Sequence, residues 1–413
     1  MDKTIEQPNL DFQPFQSPFR DDPYAFFAQA RQEQPIFFSP TFNFWMVTRY
    51  DDIVRVLKDH QRFSNRQAFA APTELVPEAK ELLRGTMFTT ESGGLIMADP
   101  PIHTRLRRPL TAAFSARRVA KTEPAVRELV SHLIDGFPSE DPLDIVEHFA
   151  HALPFQVVCH LLGVPPSATE QVRIWSDALI DLLNAAVSPE QQIDYAQKCL
   201  KLYHYVRDLL EQRQREPQDD LCSALLQEVE QEQAQTTIAE LADVLVSVLV
   251  AGFESTQYFL GGFLALMLTN VDWENLSEEP RSLTSLVEEG LRLATPILGI
   301  MRYANQEVQL GDVTIPAGAL VYTSLTSGNY DEQQFAHAAR FDPQREQNNR
   351  HITFGQGIHF CIGAPLARVE ARIAIEVLHQ RLPHLRLVPH QTLEYRDGLV
   401  LRGLEHLWVE RGE

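Results

Sequence analysis

The segment VLVSVLVAGFESTQYFLGGFLALML, residues 244–268, is apolar on every side, and such a helix must be surrounded by protein or by lipid. It is long enough to span a bilayer. Glu254 falls at its centre, however, where lipid would penalise a carboxylate, and no aromatic or basic belt flanks it. The pattern therefore predicts a buried central helix over residues 237–270 and no membrane span. A helix buried all round must be enclosed by the rest of a large domain, and the helical pattern of most of the chain makes the expected fold mainly α with a smaller β-rich part.

From about 100 to 295 the pattern is helical, broken at GFPSEDP, GVPPSA, SPEQ and REPQDD. After LRLATP the period falls to two, and VQLGDVTIPAGALVYTSL and LVLRGLEHLWV read as short strands between Gly and Pro turns. IFFSP and FNFWMVTRY read as a β-hairpin, followed by a helix, DIVRVLKDH, capped by Asp51 or Asp52. The Pro- and Phe-rich opening segment is expected to wrap the surface. Residues 65–99, rich in turn formers, read as a long mobile loop of the functional kind. No repeat or linker divides the 413 residues, so the expectation is a single domain over 1–413. Residues 35–50 and 300–413 would supply its smaller β-rich part.

The formal charge of −20 argues against nucleic acid and against an anionic membrane surface as partners. Cys159, Cys199, Cys222 and Cys361 are scattered without CxxC spacing, which suits neither a disulfide framework nor a zinc knuckle. With no basic-then-apolar leader at the N-terminus, a reducing cytoplasm is the expected location.

Residues 354–363 read FGQGIHFCIG and run straight into a helical pattern, APLARVEARIAIEVL. Gly355, Gly357 and Gly363 permit backbone conformations and close approaches that a side chain would block. Cys361 stands where loop becomes helix, and the unpaired N–H groups there are expected to lower its pKa. Three thiolate chemistries compete. A nucleophile wants a base, and His359, two residues away on an extended loop, would point its ring elsewhere. Zinc wants three further ligands that the neighbourhood lacks. An axial bond to haem iron needs one sulfur, a permissive loop and distant cations for the propionates.

FGQGIHFCIG resembles the haem-binding loop of the cytochrome P-450 family, Phe-Gly-x-Gly-x-His-x-Cys-x-Gly in its soluble bacterial branch, with every fixed position present. VAGFESTQYF is similar to the family's oxygen-activation motif, Ala-Gly-x-Asp/Glu-Thr, with Ser255 in place of the usual Thr and Thr256 following. Glu289 and Arg292 in EEGLRLATP share a helix face and match Glu-x-x-Arg; Arg340 in ARFDP takes the place of the loop arginine they bond. His103 and Arg107 in DPPIHTRLRRPL, Arg302 in GIMRYA, and His359 stand where the resemblance puts propionate partners. Pro109 departs from a clean helix and is expected to kink or end it.

The resemblance runs from about residue 49 to 401 and implies the family's fold, a triangular helical prism enclosing haem b. It implies Cys361 as axial iron ligand. Ala251, Phe354, Gly355 and Gly363 would lie against the cofactor, and Glu254, Ser255 and Thr256 would deliver protons to bound dioxygen. Glu289, Arg292 and Arg340 would be structural. The substrate pocket would be walled by the 65–98 loop, the helices near 165–215, Val250, Ile297, Leu298, Ile300 and the turn at Val400. The implied activity is a monooxygenase inserting one oxygen atom of O2 into a largely apolar small molecule, free or carrier-tethered, in secondary or xenobiotic metabolism. Electrons would come indirectly from NAD(P)H through a separate ferredoxin and ferredoxin reductase, because no dinucleotide fingerprint or iron–sulfur cysteine cluster is present in the sequence. RLRRP and SARRVAK, residues 105–109 and 115–121, are expected to dock the acidic ferredoxin. A haem-thiolate peroxygenase, an isomerase or a non-catalytic haem-binding protein shares the same loop, and the Glu254–Ser255 pair favours the monooxygenase.

Overall fold

The apolar segment folds as one continuous helix, Ile238–Asn270, in the computed structural model. The structure describes residues 10, 12–66, 74–89, 94–184, 187–232, 235–276, 279–396 and 398–412. A reciprocal cap starts the helix: Thr237 Oγ1 accepts from the Glu240 N–H at 3.2 Å, and the Glu240 carboxylate accepts from the Thr237 N–H at 2.8 Å. At 1.5 Å per residue it rises about 50 Å, with Val244, Leu245, Val246, Leu249 and Val250 buried on its different faces. Among the described residues no helix is long and apolar enough to cross a membrane.

Helices Ala152–Leu162 and Pro189–Arg215 pack on this central helix, and Pro166–Asn184 lies against Pro189–Arg215. The helix that follows the cysteine loop, Ala364–Arg381, packs against Ala116–Asp135 and touches the central helix. Their apolar faces share one core in which Phe155 meets Phe253 edge-on at 5.0 Å. The β-rich part is a five-stranded sheet in the order Ile36–Ser39, Phe44–Val47, Leu320–Thr323, Ile300–Ala304 and Phe63–Ser64. The expected hairpin forms with Ile36 opposite Val47, turning at Asn43 with φ of +53°.

Several local expectations needed correction. The opening segment does not merely wrap the surface: Phe12, Phe19 and Phe27 join Phe37, Phe44 and Tyr322 in a separate aromatic core. Neither Asp51 nor Asp52 caps the helix Tyr50–Lys58; both lie in its first turn, where they face the positive end of the dipole. The expected loop over 65–99 contains helices Pro77–Leu82 and Gly94–Met97, while its residues 67–73 and 90–93 lie outside the described residues. Helix Ile102–Ala113 continues through Pro109, because Leu106, Pro109, Leu110 and Ala113 are buried together and hold both sides of the one missing bond. Strands Phe63–Ser64 and Leu143–Asp144 lie outside the ranges expected to be β-rich; each is two residues long, too short to leave a pattern.

Candidate functional site

The cysteine loop turns on Gly355 and Gly357, whose φ values of +69° and +76° place them in the left-handed region. A Cβ on Gly357 would also lie 2.4 Å from the Leu57 carbonyl oxygen, so the loop presses against the end of helix Tyr50–Lys58. Gly363 differs: its φ is −77°, and a Cβ there would sit 3.7 Å from Cys361 Sγ, an ordinary contact. The chain itself therefore makes no demand for the third glycine. The Cys361 N–H donates to the Phe354 carbonyl at 2.9 Å and closes the loop just before the helix begins.

Burial pushes the Cys361 thiol above its ordinary value, against the N–H groups of Gly363 and Ala364 and the charges of Arg107 and Arg368, which all favour thiolate. The helix start acts in the expected direction, but desolvation is the larger effect, so the expectation of a lowered pKa is corrected. Cys159 and Cys199, without such cationic neighbours, are pushed by burial to about 12. Metal coordination deprotonates a thiol outright.

Four polar side chains gather beside the loop. The rings of His103 and His359 lie 4.3 Å apart, and both Nε2 atoms are buried without a hydrogen-bond partner. Burial lowers His103 to about 4 and His359 to about 3, aided by neighbouring positive charge, so both imidazoles are neutral. Arg302 is 4% exposed, and its Nη1 donates to the Met301 carbonyl at 2.8 Å. Burial brings its pKa down to about 10, with Asp99 opposing. Arg107 donates to the carbonyl of Phe360, the residue before the cysteine. A buried guanidinium and two unsatisfied imidazole nitrogens fit a ligand that carries carboxylates, and the thiol beside them fits its metal.

The central helix contributes a face. Leu249, Val250, Phe253 and Glu254 are buried, yet Ala251 is exposed and Gly252 and Ser255 partly so, which means this face borders open space inside the fold. Ser255 Oγ donates to the Ala251 carbonyl at 2.9 Å, and Thr256 Oγ1 to that of Gly252 at 2.8 Å. Of the residues expected to wall a pocket, two are joined directly. The Leu298 N–H donates to the Val400 carbonyl at 2.7 Å, and Ile297 bridges Leu401. Leu298 is buried, whereas Ile297, Ile300 and Val400 keep partial exposure.

The family model for cytochrome P-450 matches residues 14–394. The chain belongs to the cytochrome P-450 family. It is 38% identical to the mycinamicin IV hydroxylase/epoxidase of Micromonospora griseorubida, over 87% of each chain. It is 34% identical to the 6-deoxyerythronolide B hydroxylase of Saccharopolyspora erythraea, over 95% of this chain and 96% of that one. The solved haem domain of a cytochrome P-450 from Tepidiphilus thermophilus superposes with a TM-score of 0.89 at 31% identity, covering 97% and 96% of the two chains. The protein is therefore a cytochrome P-450 monooxygenase with haem as cofactor.

In this cytochrome P-450 the Glu-x-x-Arg pair forms as expected and is fully buried. Arg292 grips Glu289 through Nε at 2.9 Å and Nη2 at 2.7 Å, and also donates to the carbonyls of Asn329 and Ala338 at 2.8 and 2.6 Å. The loop arginine is not Arg340, whose side chain is exposed; only its carbonyl takes part. Arg345 takes that place, its Nε 3.1 Å from Glu289 Oε1 and its side chain 7% exposed. The signal that could have found it is Asp342, which turns the chain so that 345 rather than 340 faces inward.

A second buried acid, Glu288, escaped the sequence reading. It holds Arg368 through two bonds of 2.6 and 3.0 Å and His351 Nε2 at 3.2 Å. The expected basic docking patch is mostly neutralised: Arg105 pairs with Glu240, Arg108 with Glu232, and Arg118 and Lys121 share Asp219. Arg107 turns inward, and Arg117 remains exposed.

Proposed function

We propose that this monooxygenase binds haem b through Cys361 as axial ligand and acts on a largely apolar small molecule of secondary metabolism. Haem, when bound, supplies the activation of dioxygen and the transfer of one oxygen atom to a C–H or C=C bond. The observation that carries the reading is the group beside the thiol: the buried Arg302 guanidinium, which bonds the Met301 carbonyl through Nη1, and the buried Nε2 atoms of His103 and His359, which have no partner. Two propionates would use them, with Arg107 at the loop itself. Ala251, Phe354, Gly355 and Gly363 would line the cofactor's faces.

Ser255 would present a proton at Oγ to the open space along Ala251, turning away from the carbonyl it now bonds. Glu254, buried next to it in the chain, would replenish that proton through water, and Thr256 keeps its own hydroxyl on the Gly252 carbonyl. Val250, Ile297, Leu298, Ile300 and Val400 would present aliphatic surface that orients substrate and excludes water. The substrates in the names of the two relatives support a natural product of comparable kind as the substrate here. Electrons would pass from NAD(P)H through a ferredoxin reductase and a ferredoxin. The test is turnover of such compounds with NAD(P)H and surrogate redox partners, compared with peroxide alone. Product that depends on oxygen and NAD(P)H supports the reading; product from peroxide only would replace it with a peroxygenase.

A further inference from the structure

Behind the cysteine loop lies a charge arrangement that neither oxygen chemistry nor propionate binding uses. Arg368, one turn into helix Ala364–Arg381, folds its guanidinium back over the Phe354 ring at 4.6 Å from the centroid. Phe354 is the residue whose carbonyl accepts the Cys361 N–H at 2.9 Å. Glu288, on helix Pro280–Leu293, fixes that guanidinium by the two bonds of 2.6 and 3.0 Å, and His351 flanks the acid at 3.2 Å. The pair therefore clamps the mouth of the loop and sets one positive and one negative charge behind the sulfur.

We propose that Glu288 and Arg368 are positioning residues that jointly set the reduction potential of the haem by placing opposed charges behind the Cys361 thiolate. This rests on Cys361 being the iron ligand. Geometry brings the Arg368 charge to the loop: besides stacking on Phe354, its Nη1 donates to the carbonyl of Ala364, three residues past the cysteine, at 3.4 Å. Glu288 is ionised, because the bonds from His351 and Arg368 outweigh its burial and hold it down at about 2. Burial lowers His351, so it is neutral and leaves the acid–guanidinium pair as the charged unit. Reduction adds an electron beside this pair, so a nearby positive charge favours it and a nearby negative charge opposes it. Arg368 is 31% exposed in its side chain and is partly screened by water, whereas Glu288 is 8% exposed. The acid should therefore have the larger influence.

A purely structural clamp and an electrostatic one give different signs. Spectroelectrochemical titration of the haem-loaded Glu288→Gln, Arg368→Gln and double variants, at mildly alkaline pH to keep His351 neutral, distinguishes them. The expected result is a more positive midpoint for Glu288→Gln, a more negative one for Arg368→Gln, and a double variant returning toward wild type. Shifts of both single variants in one direction, or no shift in either, would overturn the inference. Arg368→Lys should keep the midpoint near that of wild type, since charge is retained while the planar stacking is lost. A wild-type protein without a thiolate-type spectrum would instead refute the Cys361 assignment, so the two failures are separable.

Discussion

Replacing Arg345 by Leu and, separately, Arg340 by Leu puts the corrected loop arginine to a direct comparison. Arg345 loses a bond to a fully buried carboxylate, Glu289, at 3.1 Å. A charge-assisted bond of this kind is worth about 1.5–3 kcal/mol. Glu289 keeps both Arg292 contacts and the Asp342 N–H at 3.0 Å, so it is not left as a bare buried charge, and the larger penalty for a fully broken pair does not apply. The other Arg345 bonds reach the carbonyls of Ala336, His337 and Arg340 at exposed positions, where water replaces them and little is added. The total is about 2–3 kcal/mol, which for a chain of this size lowers Tm by about 3 °C. Arg340→Leu removes an exposed side chain whose carbonyl is the only part engaged, and should change stability by less than about 0.5 kcal/mol. Thermal unfolding at equal haem occupancy reads both. An Arg340→Leu loss equal to or greater than that of Arg345→Leu would refute the assignment.

Arg302→Met should leave the haem-free protein equally or more stable, since it removes a buried charge, yet speed haem loss about 10-fold or more by removing a propionate partner. A destabilised haem-free protein with unchanged transfer of haem to a scavenger would contradict this. Glu288 titrates near 2 instead of its ordinary 4.5, so its stabilisation is fully present above 4.5 and disappears as pH falls toward 2. The stability gap between wild type and Glu288→Gln should therefore be at most about 3 kcal/mol at about pH 6 and shrink by about pH 3; a gap that widens in acid would invert the sign.

The features legible in the sequence were those encoded within a few residues. Thr237 and Glu240 announce the start of the central helix through one reciprocal cap. Gly355 and Gly357 announce left-handed turns, and Cys361 between them and a helix pattern announces a placed thiol. What escaped depends on distant segments. Whether Arg340 or Arg345 meets Glu289 depends on a turn more than fifty residues downstream in the chain, at Asp342. The pKa direction of Cys361 depends on how much protein encloses it, which no local pattern records. Pro109 sits inside a helix because its neighbours are buried, and burial again is a property of the assembled fold. Arg105, Arg108 and Arg118 read as a basic patch until Glu232, Glu240 and Asp219 arrive from other helices to pair with them.

The bond between Cys361 sulfur and haem iron is tested most directly by the absorption spectrum of the reduced carbon monoxide complex, recorded for wild type and for Cys361→Ser at matched haem content. The expected result is a thiolate-type Soret band in the wild type that is lost in the serine variant. The same band surviving the substitution would contradict the central claim.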